Sequence, residues 1–204
     1  MNLIKTVRLR SNSFDTLLGQ DANLQIILLA RDPRAVMNSR WAKNWCGNTP
    51  QCNTTSQYCS ELKEDVIQSL SLAKKYPWKI RIVRFEDFIA NKSQVLSKAL
   101  DFLGQTNMTI QQIESFFENV KNFPPRILDL MAKDGEYSYK RDSDKVPRKW
   151  LDNLSEKVAE SIQDQCSEAM NSLGYPTKQE IMTSGKLIVQ PREEIENLLI
   201  KSKT

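Results

Sequence analysis

Arg31, Ser39 and the acidic pair Glu86-Asp87 are residues whose types and spacing could do chemistry. Arg31 ends the apolar run Ile26-Ile27-Leu28-Leu29-Ala30, and Ser39 follows eight residues later. A guanidinium offers a planar fork of donors and a hydroxyl adds one more, a set that suits a phosphate dianion. Asp32 stands where a helix N-cap belongs and Pro33 where the first helical residue belongs. The chain is therefore expected to leave a buried strand, turn once and enter a helix. The free N–H groups of that helix start, beside the guanidinium, would form an anion site. A strand, a cap and an arginine alone would favour an ordinary strand–turn–helix with a solvated arginine. Two adjacent acids at a strand end more commonly cap the next helix than run acid–base chemistry. Glu86 and Asp87 are read as structural, with Glu86 alone kept open for a role at the site.

The chain has no histidine. That removes a histidine-based triad, the commonest general base and the usual zinc ligand. Cys46, Cys52 and Cys59 cluster within fourteen residues, but spacings of six and seven do not match a C-x₂₋₄-C zinc site. No metal is expected. If the chain is lumenal, disulfides are the better reading, and with Cys166 the four cysteines allow three pairings.

Around these residues stand 204 in all, enough for one domain with a sizeable core, or one domain and a tail. The net charge of +4 suits an anionic ligand such as a nucleotide or an acidic glycan, and is too small and spread to argue for nucleic acid. No apolar run approaches the roughly 20 residues that cross a bilayer, and the first residues lack the apolar stretch of a signal peptide. N-x-S/T sequons at Asn53, Asn91, Asn107 and Asn153, with the even cysteine count, lean instead towards a lumenal or secreted protein.

Strands are expected at Lys5–Leu9, Gln25–Ala30 and Lys79–Phe85. Helices are expected at Ser13–Gly19, from Pro33 to about Trp45, and at Ser60–Tyr76, Ser93–Leu103, Thr109–Val120 and Ser155–Leu173. Trp41 and Trp45 would then share a helix face, read as packing residues with a sugar platform as the alternative. Gly104 and Gly174 stand as helix C-terminal residues. Cys46–Cys59 and Lys121–Lys145 read as loops, and Pro191–Leu199 as one extra helix.

The string LLARDPRAVMNSR resembles the 3′-phosphate-binding motif of sulfotransferases that use 3′-phosphoadenosine 5′-phosphosulfate (PAPS), and its RDPRAV wording is most similar to the Golgi carbohydrate sulfotransferases. The resemblance implies that Arg31 and Ser39 hold the 3′-phosphate of the nucleotide. RFEDF at 84–88 resembles the family's R-Y-E-D strand end, and Tyr137–Ser143, ahead of Trp150, its Y-S-T-x-K/R-N-S segment. Lys140 and Arg141 are thereby candidate ligands for PAPS or for the acceptor glycan, although a solvated basic loop would read the same. Cys166 to Tyr175 resembles the family's terminal C-x-x-A-M-x-x-x-G-Y. The family also implies the disulfides Cys59–Cys166 and Cys46–Cys52.

The fold implied is α/β: a P-loop-like three-layer arrangement around a central parallel sheet. Its N-terminal strand and its 5′-phosphosulfate loop, R-x-G-S-S in the family, have no counterpart here; Arg10-Ser11-Asn12-Ser13 lacks the glycine. Residues 1–177 are expected to form a partial sulfotransferase domain and 178–204 an unassigned tail. A P-loop kinase would need G-x-x-x-x-G-K-[ST], which does not occur. The resemblance implies transfer of a sulfuryl group from PAPS to a glycan hydroxyl, in the Golgi lumen, by a protein whose membrane anchor belongs to the full-length form. No catalytic base is assigned. The alternative is a non-catalytic remnant that binds adenosine 3′,5′-bisphosphate (PAP) or an anionic glycan.

Overall fold

A computed structural model describes residues 2–7, 9–47, 49–121 and 145–201. A one-turn 3₁₀ helix, Ser11–Ser13, runs into α1 (Phe14–Gln20). Strand β1 (Ile26–Ala30) then leads to α2 (Pro33–Trp41), the single turns α3 (Asn44–Gly47) and α4 (Pro50–Asn53), and the long α5 (Thr55–Lys75). Strand β2 (Ile80–Arg84) passes directly into α6 (Phe85–Ala90), followed by α7 (Lys92–Phe102) and α8 (Ile110–Lys121). The remainder is helical in short pieces: a 3₁₀ turn Val146–Arg148, α9 (Lys149–Asn153), α10 (Glu156–Gln165), α11 (Ser167–Leu173), α12 (Lys178–Ser184) and α13 (Glu193–Glu196).

β1 and β2 pair in parallel with Ile26 opposite Ile80 and Ala30 opposite Arg84. The period-2 alternation of strands divides their side chains between two layers. Ala30 and Ile82 join Leu62, Val66, Ile162, Met170 and Leu173 beneath the sheet. Val83 packs on the other face with Val95 of α7. The result is the α/β arrangement expected, with helices on both faces of a parallel pair.

The tail contributes to this core. Ile195 and Leu198 are buried among the residues beneath the sheet, and Ile200 packs with Val83 and Val95 on the opposite face. The Ile82 N–H donates to the Leu198 carbonyl and the Ile200 N–H to the Ile82 carbonyl, each at 2.8 Å. One rung of parallel ladder therefore covers the edge of β2 turned away from β1. The far edge of β1 has no strand partner among the described residues, and Leu29 there is 63% exposed.

Several elements differ from expectation. The strand expected over Lys5–Leu9 is absent from the described residues: 2–7 are irregular, with Leu3, Ile4 and Val7 exposed, and they pair with neither strand of the sheet. The helix from Pro33 stops at Trp41, which places Trp45 in α3 with its ring, like that of Trp41, open to solvent. The cysteine-rich stretch is mostly helical: Cys46–Cys52 staples α3 to α4, and α5 starts before Cys59. The helix foreseen over Ser155–Leu173 breaks at Cys166, where a disulfide to Cys59 of α5 brings the two Cα atoms within 4.7 Å. These are the two pairings that the family resemblance implied. By the chain-entropy rule, closing a loop as long as that of Cys59–Cys166 stabilises by about 4–5 kcal/mol. In the tail, α12 was unforeseen, although Thr177 and Glu180 form a capping box in the T-x-x-E pattern. The helix foreseen over Pro191–Leu199 is only the short α13.

Candidate anion-binding site at the end of the sheet

β1 turns once into α2 and β2 runs directly into α6, so the charged residues at and just after the two strand ends meet at one end of the sheet. They comprise three guanidiniums, Arg31, Arg34 and Arg84, and three carboxylates, Asp32, Glu86 and Asp87. How the donors are spent distinguishes the arginines.

Arg34 is fully buried, and all its donor nitrogens have partners. Nε and Nη2 grip the two oxygens of Asp32 at 3.0 and 2.7 Å, Nη1 reaches Gln163 Oε1 at 3.1 Å, and Nη2 also reaches the Pro176 carbonyl at 2.7 Å. Its guanidinium lies 4.2 Å from the ring centre of buried Trp150. Arg84, equally buried, clasps Asp87 through Nε and Nη2 and donates from Nη1 to the carbonyls of Leu173 and Val189. Both arginines are structural ties between the sheet and the C-terminal segments.

Arg31 is different. It is half-buried, its guanidinium stacks 4.8 Å from the Phe85 ring centre, and Nη2 makes one long bond, 3.4 Å, to the Val146 carbonyl. Its buried Nε has no partner among the described residues. Burial pushes its pKa down while the carboxylates of Glu86 and Asp32 hold it up. A guanidinium stays charged through such shifts. Arg31 is thus a cation with donors unspent in a desolvated place, where an anion gains most.

The helix start offers less than expected. The Asp32 N–H donates to Glu86 Oε1 at 3.2 Å, the Arg34 N–H to Asp32 Oδ1 at 2.8 Å and the Val36 N–H to the Asp32 carbonyl at 3.0 Å, while Pro33 has no N–H. The Asp32 side chain takes the Arg34 amide for its own cap, and of the first three helical residues only Ala35 keeps an N–H with no acceptor among the described residues. Attraction for an anion here rests mainly on side chains.

Ser39 sits on α2 near its C-terminal end, half-buried. Pro33, Arg34, Ala35 and Met37 form the buried face of α2. Val36, Ser39 and Arg40 share another face by the three- and four-residue spacing of a helix. The Arg40 guanidinium lies 4.6 Å from the Tyr58 ring centre. Tyr58, on α5, feels the charges of Arg40, Asp32, Glu86 and Arg31 together, so it marks where the two ends of α2 face one region; burial pushes its hydroxyl pKa up. Lys140 and Arg141 lie outside the described residues.

Glu86 acts as more than a cap. It is 4% exposed, and burial with the neighbouring Asp32 pushes its carboxyl up to about 7. Its Oε2 accepts from the Tyr175 hydroxyl at 2.9 Å, whose own pKa burial and Glu86 push well upward. Asp87, in contrast, is wholly engaged by Arg84. Tyr175, Tyr58 and Arg40 were missed as neighbours of the site; Arg40 directly follows Ser39 and Tyr175 ends the terminal motif, whereas Tyr58 carries no local signal. No group of metal-ligating side chains occurs among the described residues.

Comparison with known proteins places the chain in a family. Residues 5–174 match the sulfotransferase domain model. Carbohydrate sulfotransferase 3 of Homo sapiens is 28% identical over 192 residues, covering 84% of this chain and 38% of its own length. Carbohydrate sulfotransferase 1 of Danio rerio is 28% identical over 222 residues, covering 98% of this chain and 48% of its own length. Carbohydrate sulfotransferase 3 of Tetronarce californica is 29% identical over 191 residues, 84% of this chain and 41% of its own. The chain spans less than half the length of these relatives.

Proposed function

The chain belongs to the sulfotransferase domain family, and on that premise we propose that it carries the 3′-phosphate grip of an enzyme that moves a sulfuryl group from PAPS to a carbohydrate hydroxyl. The observation that carries this reading is the contrast, among the described residues, between Arg34, whose donor nitrogens all have partners, and Arg31, whose buried Nε has none. An orphaned guanidinium nitrogen at the end of a parallel strand fits a phosphate, and Arg31 is its main ligand. Ser39 adds a hydroxyl from the half-buried face of α2 that carries Arg40. Lys140 and Arg141 remain candidates for the nucleotide or the glycan acceptor. PAPS, when bound, supplies the activated sulfuryl group; these residues bind and orient the nucleotide.

Two disulfides support an oxidising compartment, in keeping with the Golgi lumen and with an anchored full-length protein. No helix of the described residues is long and apolar enough to cross a membrane. The test is calorimetric binding of PAP. Arg31→Ala should abolish measurable binding, and Ser39→Ala should weaken it by about 1–2 kcal/mol, the scale of a hydrogen bond to a charged group. Unchanged affinity in Arg31→Ala overturns the assignment. Transfer of labelled sulfate from PAPS to a glycan by the full-length protein tests the activity itself.

A further inference from the structure

We propose that Glu86 is the positioning residue of this anion site: it holds the turn that carries Arg31, and it takes up a proton when phosphate binds there. The inference rests on the reading of Arg31 as the phosphate ligand.

Glu86 joins three segments. One oxygen accepts from the Asp32 amide, the peptide unit directly after Arg31, and the other accepts from the hydroxyl of Tyr175, beyond the end of α11. Its own backbone comes from the start of α6. The angle at which Arg31 leaves β1 is therefore set in part by a carboxyl from the neighbouring strand end.

The charges around it explain the coupling. Among the groups that face Glu86, Asp32 is paired with Arg34, and Arg84 with Asp87. Those pairs neutralise each other and, among the described residues that face Glu86, leave Arg31 and Glu86 without an ion-pair partner. Arg31 lies within electrostatic reach of Glu86 without forming an ion pair with it among the described residues. Tyr58 faces the same region from α5, with Arg40 against its ring. A phosphate dianion arriving at Arg31 takes over the cation that had favoured an ionised Glu86 and adds like charge beside it. Both effects favour the neutral carboxyl. The proton comes from solvent, and the new carboxyl O–H has a partner ready, because the Tyr175 oxygen can accept as well as donate. The Asp32 amide keeps its acceptor in both states, so the turn is held while the charge changes.

Glu86→Gln reproduces the neutral form: its carbonyl can accept from the Asp32 amide and its N–H₂ can donate to Tyr175. The experiment is isothermal titration of PAP in two buffers of different ionisation heat, from pH 6 to pH 8, on wild type, Glu86→Gln, Tyr175→Phe and Arg31→Ala. The variant Glu86→Gln also subtracts the titration of the ligand's own phosphates. Wild type should take up about half a proton more than Glu86→Gln at pH 7, since a carboxyl that titrates at about 7 is half ionised there. Wild-type affinity relative to Glu86→Gln should fall about tenfold from pH 6 to pH 8. Tyr175→Phe, which removes the acceptor for the carboxyl proton, should reduce the extra uptake. Equal proton uptake and parallel pH profiles in wild type and Glu86→Gln, with binding still lost in Arg31→Ala, overturn the role of Glu86 and leave the site standing. Full binding in Arg31→Ala overturns the site itself.

Discussion

Asp32 and Arg34, two residues apart, form a buried bidentate pair: Arg34 Nε to Asp32 Oδ1 is 3.0 Å, and Nη2 to Oδ2 is 2.7 Å. The pair seals the start of α2 and hands its remaining donors to Gln163 and the Pro176 carbonyl, which ties the strand end to the C-terminal helices.

Arg34→Ala would leave the Asp32 carboxylate buried and unmatched. Removing one member of a buried ion pair costs about 3–5 kcal/mol. Lost packing against Trp150 adds to it. Urea denaturation should show the midpoint falling steeply in Arg34→Ala, whereas Arg31→Ala, whose guanidinium makes one long hydrogen bond, should change stability little. Equal losses in the two variants would contradict the division of labour between these arginines.

Stability should carry a pH signature from Glu86. Its carboxyl is raised from the ordinary 4.5 to about 7 in the folded protein. Below the ordinary value both states are protonated and nothing is lost. As pH climbs from 4.5 to 7 the unfolded chain releases this proton while the folded protein keeps it, so stability falls, and above 7 the loss is complete. A shift of that size corresponds to roughly 3 kcal/mol. Thermal unfolding of wild type and Glu86→Gln between pH 4.5 and 8 measures the difference. The variant should lack this part of the slope; identical slopes would refute the raised carboxyl.

Gly174 closes α11 in the left-handed region, at φ +72°. A Cβ there would run into the Val189 carbonyl oxygen and crowd the Arg84 guanidinium. Gly174→Ala should therefore cost more than the roughly 1 kcal/mol of an open left-handed site. Gly104→Ala is the control, because it has a similar φ of +70° and nothing within 4 Å of an added Cβ. A calorimetric comparison should show a distinctly larger drop in melting temperature at Gly174.

Much of this protein can be read along the chain because the signals are local. The run Ile26–Ala30 and the Asp32-Pro33 cap specify a strand, a turn and a helix within fifteen residues, since propensity, capping and fixed φ act over one or two turns. Arg31 and Ser39 stand out by the same short spacing, and Gly174 by the left-handed exit it allows. Tertiary structure alone decided which arginine has donors left over. Arg31 and Arg34 are three residues apart and alike in type; Arg34 is consumed by Gln163 and Pro176, more than a hundred residues away. It also decided that Glu86 would be buried against Asp32 and Tyr175, because desolvation depends on everything packed around a group. The rung between Ile82 and residues 198–200 belongs to the same class. A strand needs a neighbour, and nothing in a stretch of sequence states whether an edge waits beside it. Among the described residues the segment Lys5–Leu9 pairs with no edge, and Leu198 to Ile200 pairs with that of β2.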